Sequence, residues 1–301
     1  MRDAFSPIAQ RSPQMSSLLD TVAVIAALDV PVLLQGATGT GKGLLAERIH
    51  AASTRRSKPF VVINCAALCP QNGLEQLFGG RAGEGYLQSA AGGTLLLDEV
   101  QELPLEMQAA LLRFIEQGEV QNTVSNQLGC VDVRILAASH ADMLKMSSAG
   151  SFRSDLYYRL NVVPIVLPAL AERQADIKVL LRDFSADYAA AFNVPAIRFS
   201  AAALAVLQRY SWPGNVRELQ NLCARLSALL PGQIIAPSNL PVDVTQASQP
   251  VLMGAMDLLE KEVSLIKGAL QQSKGNKSHA ARLLGISRDT LNYRLRKHKL
   301  V

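Results

Sequence analysis

The sequence predicts an α/β protein: a parallel sheet clothed by helices, a helical extension, and a small all-α domain at the C-terminal end. Three observations predict it. Up to about residue 170, short apolar segments alternate with amphipathic helical patterns. From Ala171 to Leu230 the pattern is helical throughout. At the C-terminal end, basic charge gathers on a patterned helix.

The strand candidates are "VPVLLQG", "PFVVINC", "GGTLLLDEV", "VDVRILAAS" and "NVVPIVLP". Each is rich in Val, Ile or Leu and bounded by Gly, Pro or polar residues. Continuous apolar strands separated by helices belong to parallel sheets covered on both faces. The helical segments that follow are "DIKVLLRDFSADYAAAF", "SAAALAVLQRY" and "NVRELQNLCARLSALL". Next comes "PGQIIAPSNLPVDVTQASQP", which has no periodicity and reads as a linker. Beyond it, Leu259, Val263, Ile266 and Leu270 fall at helical spacing. The expected divisions are 1–170, 171–231, a linker at 232–253, and 254–301.

Of the 301 residues, 49% are hydrophobic and 18% charged, which suits a packed core and excludes a disordered chain. No apolar run reaches the ~18 residues of a membrane helix. The opening "MRDAFSPIAQRSPQ" lacks the apolar centre of a signal peptide, so the expected location is cytoplasmic, with no membrane partner. Cys65, Cys69, Cys130 and Cys223 form no CxxC pair and are expected to be reduced, buried thiols. Net charge is +5. Residues 274–301 hold eight Lys or Arg against one acid, a balance of +7, so the rest of the chain sums to −2. Basicity that local points to nucleic acid.

"GATGTGKG" follows the first strand and precedes the helical pattern "LLAERIHAA". It is a P-loop: Gly36, Ala37, Thr38, Gly39, Thr40, Gly41, Lys42 and Gly43 are the candidate nucleotide-binding residues. Glycines let backbone N–H groups turn onto phosphate oxygens, the helix N-terminus adds a favourable dipole, and Lys42 reaches the terminal phosphates. The position after the lysine normally offers a hydroxyl to Mg²⁺, and Gly43 has none. The run from Thr94 to Leu97 leads into Asp98 and Glu99. A strand ending beside the P-loop would put Asp98 near Mg²⁺, through a water, and Glu99 near an attacking water. Charge placement and water positioning are most of what phosphoryl transfer requires.

"NKSHAARLLGISRDTLNYRLRKHKL" reads as a helix-turn-helix. Ala281 lets two helices approach, Gly285 suits a turn of positive φ, and Ser287 caps the second helix. Leu284, Ile286, Leu291 and Leu295 form the buried seam. Lys277, Ser287, Arg288, Thr290, Asn292, Tyr293, Arg294 and Lys297 are the candidate DNA-contacting residues.

With these motifs placed, the chain resembles the AAA+ ATPases of the NtrC-like bacterial enhancer-binding proteins, activators of sigma-54 RNA polymerase. The resemblance rests on "GATGTGKG", "FVVINCAAL", "LFG", "GGTLLLDEV", "VDVRILAAS", "FRSDLYYRLNVVPIVLPAL" and "WPGNVRELQN", in that order. It implies an AAA+ P-loop core with a helical lid, and ATP as the nucleotide. It gives Asn64 the role of a polar switch holding Glu99. Arg153 and Arg159 match fingers that reach a neighbouring subunit's γ-phosphate, which would make hydrolysis depend on a ring, usually a hexamer. Arg217 matches the nucleotide-sensing lid arginine. The C-terminal stretch resembles the Fis-type domain, which usually acts as a dimer on palindromic double-stranded DNA, with a helix from about Met256 to Gln272 for packing. RNA polymerase or a related activator is the implied protein partner.

The chain also departs from that family. Its members follow "LFG" with a long insertion of signature GAFTGA that grips the sigma factor; only "GRAGE", Gly80 to Glu84, stands there. Gly43 replaces the usual Glu, Ser139-His140 the usual Thr-Asn, and Ala171 an Arg. The pattern begins near the first residue, so no fused receiver or sensor domain is expected, nor control by receiver phosphorylation. The expected function is an ATP-binding, sequence-specific DNA-binding regulator that does not itself remodel sigma-54. The alternatives are a sigma-54 activator with a substitute for the loop, and a nucleotide-binding scaffold without hydrolysis.

Overall fold

The computed structural model describes residues 12–68, 71–80, 83–121, 128–247, 266–270, 273 and 276–298. Contacts divide the chain into two units, Met1–Ser248 and Gln249–Val301.

The first unit opens with α1 (Pro13–Ala26), capped by the Ser12 hydroxyl, which accepts from Met15 N. All five expected strands form: β1 (Val32–Gln35), β2 (Phe60–Asn64), β3 (Thr94–Asp98), β6 (Arg134–Ser139) and β7 (Val163–Val166). They build one sheet in the order β2-β3-β6-β1-β7, every pairing parallel. A short antiparallel hairpin, β4 (Glu119–Gln121) with β5 (Leu128–Cys130), was not among the expected strands. Its three-residue arms are too short to carry an alternating pattern.

Helices α2 (Lys42–Ala51), α3 (Gly73–Phe78), α4 (Tyr86–Ser89), α5 (Leu105–Gln117), α6 (Met143–Ser148) and α7 (Ser154–Leu160) link the strands. Strand β3 shows why its sequence is continuously apolar. Leu95 and Leu97 pack on one face with Leu77, Leu111 and Leu156, while Leu96 packs on the other with Leu34, Leu45 and Ile49. Both faces are covered, so Leu95 to Leu97 leave no position for a polar residue; buried Thr94, at the strand's start, has its Oγ1 2.9 Å from His50 Nδ1.

The lid contains α8 (Gln174–Phe192), α9 (Ala201–Arg209), α10 (Asn215–Leu229) and α11 (Val242–Ala247), with β8 (Arg198–Phe199) parallel to β9 (Ile234–Ile235). Its core surrounds Trp212, whose Nε1 donates to Leu207 O at 2.9 Å. The linker expected at 232–253 is corrected here. Ile235, Leu240 and Val244 are buried in the same core as Trp212. A strand, a 3₁₀ turn (Pro237–Asn239) and a helix each supply one of them or its neighbour. Three elements in fourteen residues leave no common period to detect.

In the second unit, residues 266–270 are helical, followed by α12 (Lys277–Leu283) and α13 (Arg288–Lys297). Asn276 caps α12 and Gly285 turns the chain at φ +68°. Ile266, Ala269, Ala280, Ala281, Leu291 and Leu295 form the core, with Leu270, Leu284 and Ile286 against it. The remainder of the expected 256–272 helix, with Leu259 and Val263, lies outside the described residues. Among the described residues, no helix is long and apolar enough to cross a membrane.

Arg134 ties β6 to the end of α1. It is 4% exposed and donates to Ala26 O and Ile25 O, both at 3.0 Å. Arg134→Met keeps the length and loses both bonds; Ile25 O keeps the N–H of Leu28, while Ala26 O loses its charged donor. The substitution is expected to cost about 3 kcal/mol, read as a lower denaturant midpoint at unchanged slope.

The cysteines do not all follow the expectation of buried thiols: Cys65 and Cys223 are buried, but Cys130, on the hairpin, is exposed, and Cys69 lies outside the described residues. Burial pushes both buried thiols up to about 12, helped at Cys65 by the nearby Asp98 and Glu99. At pH 8 they stay protonated and unreactive. Maleimide is expected to label Cys130 in the native protein and Cys65 and Cys223 only after unfolding. Peptide mapping in which a buried thiol reacts as fast as Cys130 would contradict this.

Candidate functional site

The sheet places two sequence motifs at one edge. The P-loop leaves the C-terminal end of β1 and Asp98 ends β3. These strands are not neighbours: β6 lies between them, with Ala137 paired to Leu33 on one side and Leu97 on the other. The gap opens at the carboxyl ends of the strands, where open parallel sheets take their ligands.

The loop's glycines adopt conformations that side chains avoid. Gly36, Gly39 and Gly41 have φ of +151°, +79° and +104°. Lys42 then opens α2, so its N-terminal N–H groups face the same space as the loop. A cavity of about 390 Å³ lies there. Thr38, Gly39, Thr40, Gly41, Lys42 and Gly43 line it, together with Asp98, Glu99 and Arg217. Gly36 and Ala37 serve differently. Their carbonyls accept from Lys42 Nζ at 2.7 and 3.2 Å, which anchors the ammonium at the root of the loop.

Burial lowers the Lys42 pKa, Asp98 and Glu99 oppose that shift, and Arg217 adds to it. The two carboxylates and the arginine of the sequence prediction are therefore within electrostatic reach of Lys42. Glu99 has φ +55°, an unusual conformation for a side-chain-bearing residue, and its N–H donates to Asp98 Oδ1 at 3.1 Å. The kink turns the chain out of β3 directly after Asp98, and both acids reach the cavity wall.

A Cβ built on Gly43 would meet nothing within 4 Å, so the missing side chain is not a packing requirement. For Mg²⁺, this wall offers the carboxylates of Asp98 and Glu99, while position 43 offers no hydroxyl. That set fits a cation which keeps several waters and leans on one carboxylate and on phosphate oxygens.

Three predicted residues do not meet the cavity in their own chain. Asn64 pairs in register with Asp98, but its Oδ1 accepts from Ala66 N at 2.9 Å and so caps a 3₁₀ turn rather than holding Glu99. Arg153 is exposed and paired with Asp155 at 2.8 Å. Arg159 is exposed and paired with Glu116 at 3.2 Å. Other wall residues went unread in the sequence: Met15 from α1, Arg173 and Phe184 from the lid, and Gln220 from α10. Arg173 ends "LPALAER", where no local pattern marks it as a wall residue. His140, in place of the usual Asn, has its Nδ1 2.9 Å from Gln101 Nε2.

The shortened loop is closed on itself. Gly80 and Gly83 exchange both backbone hydrogen bonds, at 3.1 and 3.2 Å. Two residues stand between them.

In the second unit, Ser287 Oγ accepts from Thr290 N at 3.1 Å and caps α13. Leu291 and Leu295 are buried, while Arg288, Tyr293 and Lys297 are exposed on the same helix. Thr290, Asn292 and Arg294 are half-buried beside the seam. Lys277 begins α12 instead, away from the second helix's sequence but within the same fold. Seven of the eight predicted DNA contacts thus belong to α13 or its cap.

Comparison with known proteins agrees with these three parts. Residues 8–166 match the family described as Sigma-54 interaction domain, 171–252 the AAA+ ATPase lid domain, and 257–298 the Bacterial regulatory protein, Fis family. The transcriptional regulatory protein ZraR of Escherichia coli (strain K12) is 43% identical over 294 residues, covering 93% of this chain and 66% of that protein. GlrR of the same strain is 40% identical over 305 residues, covering 97% and 68%. Crystal structures of NtrX from Brucella abortus with ADP and with ATP superpose with TM-scores of 0.77 at 32% identity, covering 98% and 99% of this chain and 69% and 70% of NtrX. The chain thus spans about two thirds of the length of these relatives. A P-loop at a parallel-sheet edge, an acid pair across β6, a helical lid and a capped helix-turn-helix, each matched in order, mean that the chain belongs to the AAA+ transcriptional regulators built on the sigma-54 interaction domain.

Proposed function

We propose that the chain is an ATP-binding, sequence-specific DNA-binding transcription regulator whose AAA+ core does not itself remodel sigma-54. The observation that carries the second half is the closed Gly80–Gly83 bridge, which stands where the resemblance leads one to expect a sigma-gripping insertion. A loop of that length has no chain with which to reach a partner.

For the nucleotide, the P-loop N–H groups and Lys42 would hold the phosphates, and Arg217 would answer the terminal one from the lid. Bound Mg²⁺ would neutralise phosphate charge. Asp98 would hold it through water, and Glu99 would orient the attacking water. The NtrX structures with ADP and ATP support the choice of nucleotide. Arg153 and Arg159 are exposed, as fingers for a neighbouring subunit must be, and their ion pairs with Asp155 and Glu116 are surface pairs of small worth that can be exchanged. Asn64 would have to give up its Ala66 bond to act as a switch on Glu99. In the second unit, α13 would enter the major groove of a palindromic operator or enhancer as part of a dimer, while the core assembles as a ring. RNA polymerase or a related activator would receive the output.

A second reading has its own support. The match over residues 8–166 is to the sigma-54 interaction domain itself. In that reading, another surface takes the place of the loop and the chain is an ATP-driven sigma-54 activator.

Capture of purified sigma-54 in the presence of ADP and a metal fluoride separates them, with a loop-bearing relative as control. The expected result is trapped nucleotide without captured sigma-54. Capture equal to the control would give the second reading the better claim. Gly43→Ser tests the metal. The added hydroxyl has open space, so it is expected to tighten ATP binding roughly tenfold in Mg²⁺ and to leave binding in chelator unchanged, the scale of one contact of about 1.4 kcal/mol. An equal gain with and without Mg²⁺ would mean that the change acts through the helix instead.

A further inference from the structure

A loop whose N–H groups face a phosphate turns its carbonyls the other way. Three consecutive P-loop carbonyls are met from the lid. Asn215 Nδ2 donates to Thr38 O at 3.0 Å, Val216 N to Gly39 O at 2.9 Å, and Arg173 Nη2 to Thr40 O at 2.7 Å. Asn215 uses both ends of its amide, since its Oδ1 accepts from Leu170 N at 2.8 Å. That pairing fixes its orientation: Leu170 N can only donate and Thr38 O can only accept. Asn215 is 2% exposed and does not line the nucleotide cavity.

The fit is close and strained. A Cβ on Gly39 would stand 2.3 Å from Gly214 O. Trp212 and Asn215, on either side of Pro213-Gly214, have φ of +51° and +52°. Two left-handed side-chain-bearing residues in one turn persist only where the surroundings hold them. Arg173 is held in turn: Asp176, wholly buried, lies within electrostatic reach of it and accepts from Ser12 N and Ser12 Oγ at 2.8 and 3.0 Å.

We infer that the lid holds the P-loop in its phosphate-facing shape, with Asn215 and Arg173 as positioning residues acting through the carbonyls of Thr38 and Thr40. This deepens the ATP-binding reading and rests on it for its effect on affinity. Arg217 would touch the nucleotide; Asn215 does not, yet ATP binding depends on it. Linkage runs both ways, so bound nucleotide strengthens the lid's hold on the loop.

The test uses the full chain with Asn215→Gly and Asn215→Asp. Glycine accepts the left-handed backbone and removes both amide contacts without adding charge. Aspartate keeps the acceptor for Leu170 N and loses the donor to Thr38 O. A loss common to both belongs to the donor. Arg173→Met and Arg173→Lys form the second pair, in which lysine retains a cationic donor. Three readouts are taken: ATP affinity, amide hydrogen exchange over residues 36–41 without nucleotide, and emission of Trp212, the only tryptophan and a buried lid residue. Expected are ATP binding weaker by about tenfold in both Asn215 variants, faster exchange at 36–41, unchanged Trp212 emission, and partial rescue in Arg173→Lys relative to Arg173→Met. Wild-type affinity and wild-type exchange in both Asn215 variants would overturn the inference. Lost affinity with altered Trp212 emission in every variant would also overturn it, since the residues would then only hold the lid together. If the unaltered protein binds no ATP, the nucleotide reading falls, and exchange at 36–41 still decides whether the lid positions the loop.

Discussion

A phosphate-binding loop has two sides, and only one of them meets phosphate. Its N–H groups must converge on the ligand, so its carbonyls diverge and need donors of their own. In this protein Lys42 satisfies Gly36 and Ala37 from inside, and the lid satisfies Thr38, Gly39 and Thr40 from outside. The requirement explains features that otherwise look separate. Gly39 has no room for a side chain because Gly214 presses on it. The Trp212–Asn215 turn holds two left-handed residues and so brings the Asn215 amide, and the N–H of Val216 after it, onto the loop.

The same constraint explains why charge can be gathered so densely at the site. Lys42, Arg217, Asp98 and Glu99 share a cavity wall, with Arg173 beside them. Buried charge is tolerated when it is paired or hydrogen-bonded. Lys42 has two carbonyls and two carboxylates in reach; Arg173 has Thr40 O and the field of Asp176. Gly43 stands out because nothing in the packing calls for it: the space is open and the helix would gain from almost any other residue. Its absence of a side chain is not a requirement of the fold.

The two units solve different problems with similar means. In the first, a loop ends in a helix whose N-terminus faces the cavity. In the second, Ser287 caps α13 through Thr290 N, and small residues Ala280 and Ala281 allow the two helices to close around Leu291 and Leu295. Between "LFG" and α4 the chain saves length by pairing Gly80 with Gly83, so the framework on both sides keeps its place without an insertion.

Much of this was legible in the sequence because it is local. The five core strands announce themselves by continuous apolar runs, since both faces of the sheet are covered. The P-loop, Asp98 and Glu99 are contiguous motifs at strand ends, and the helix-turn-helix carries its own caps, turn glycine and seam. The sequence by itself thus determined the fold class, the phosphate cradle, the acid pair and the basic recognition helix. Tertiary structure alone decided that β6 stands between the P-loop strand and the acid strand. It also drew residues 234–247 into the lid core and chose the partners of Asn215 and Arg173. Those last contacts join residues 177 and 133 positions apart, between a side chain and a backbone carbonyl. A carbonyl has no residue identity to read, and a contact over that distance has no period. Only the folded chain, with the lid seated on the loop, reveals which donor each carbonyl finds.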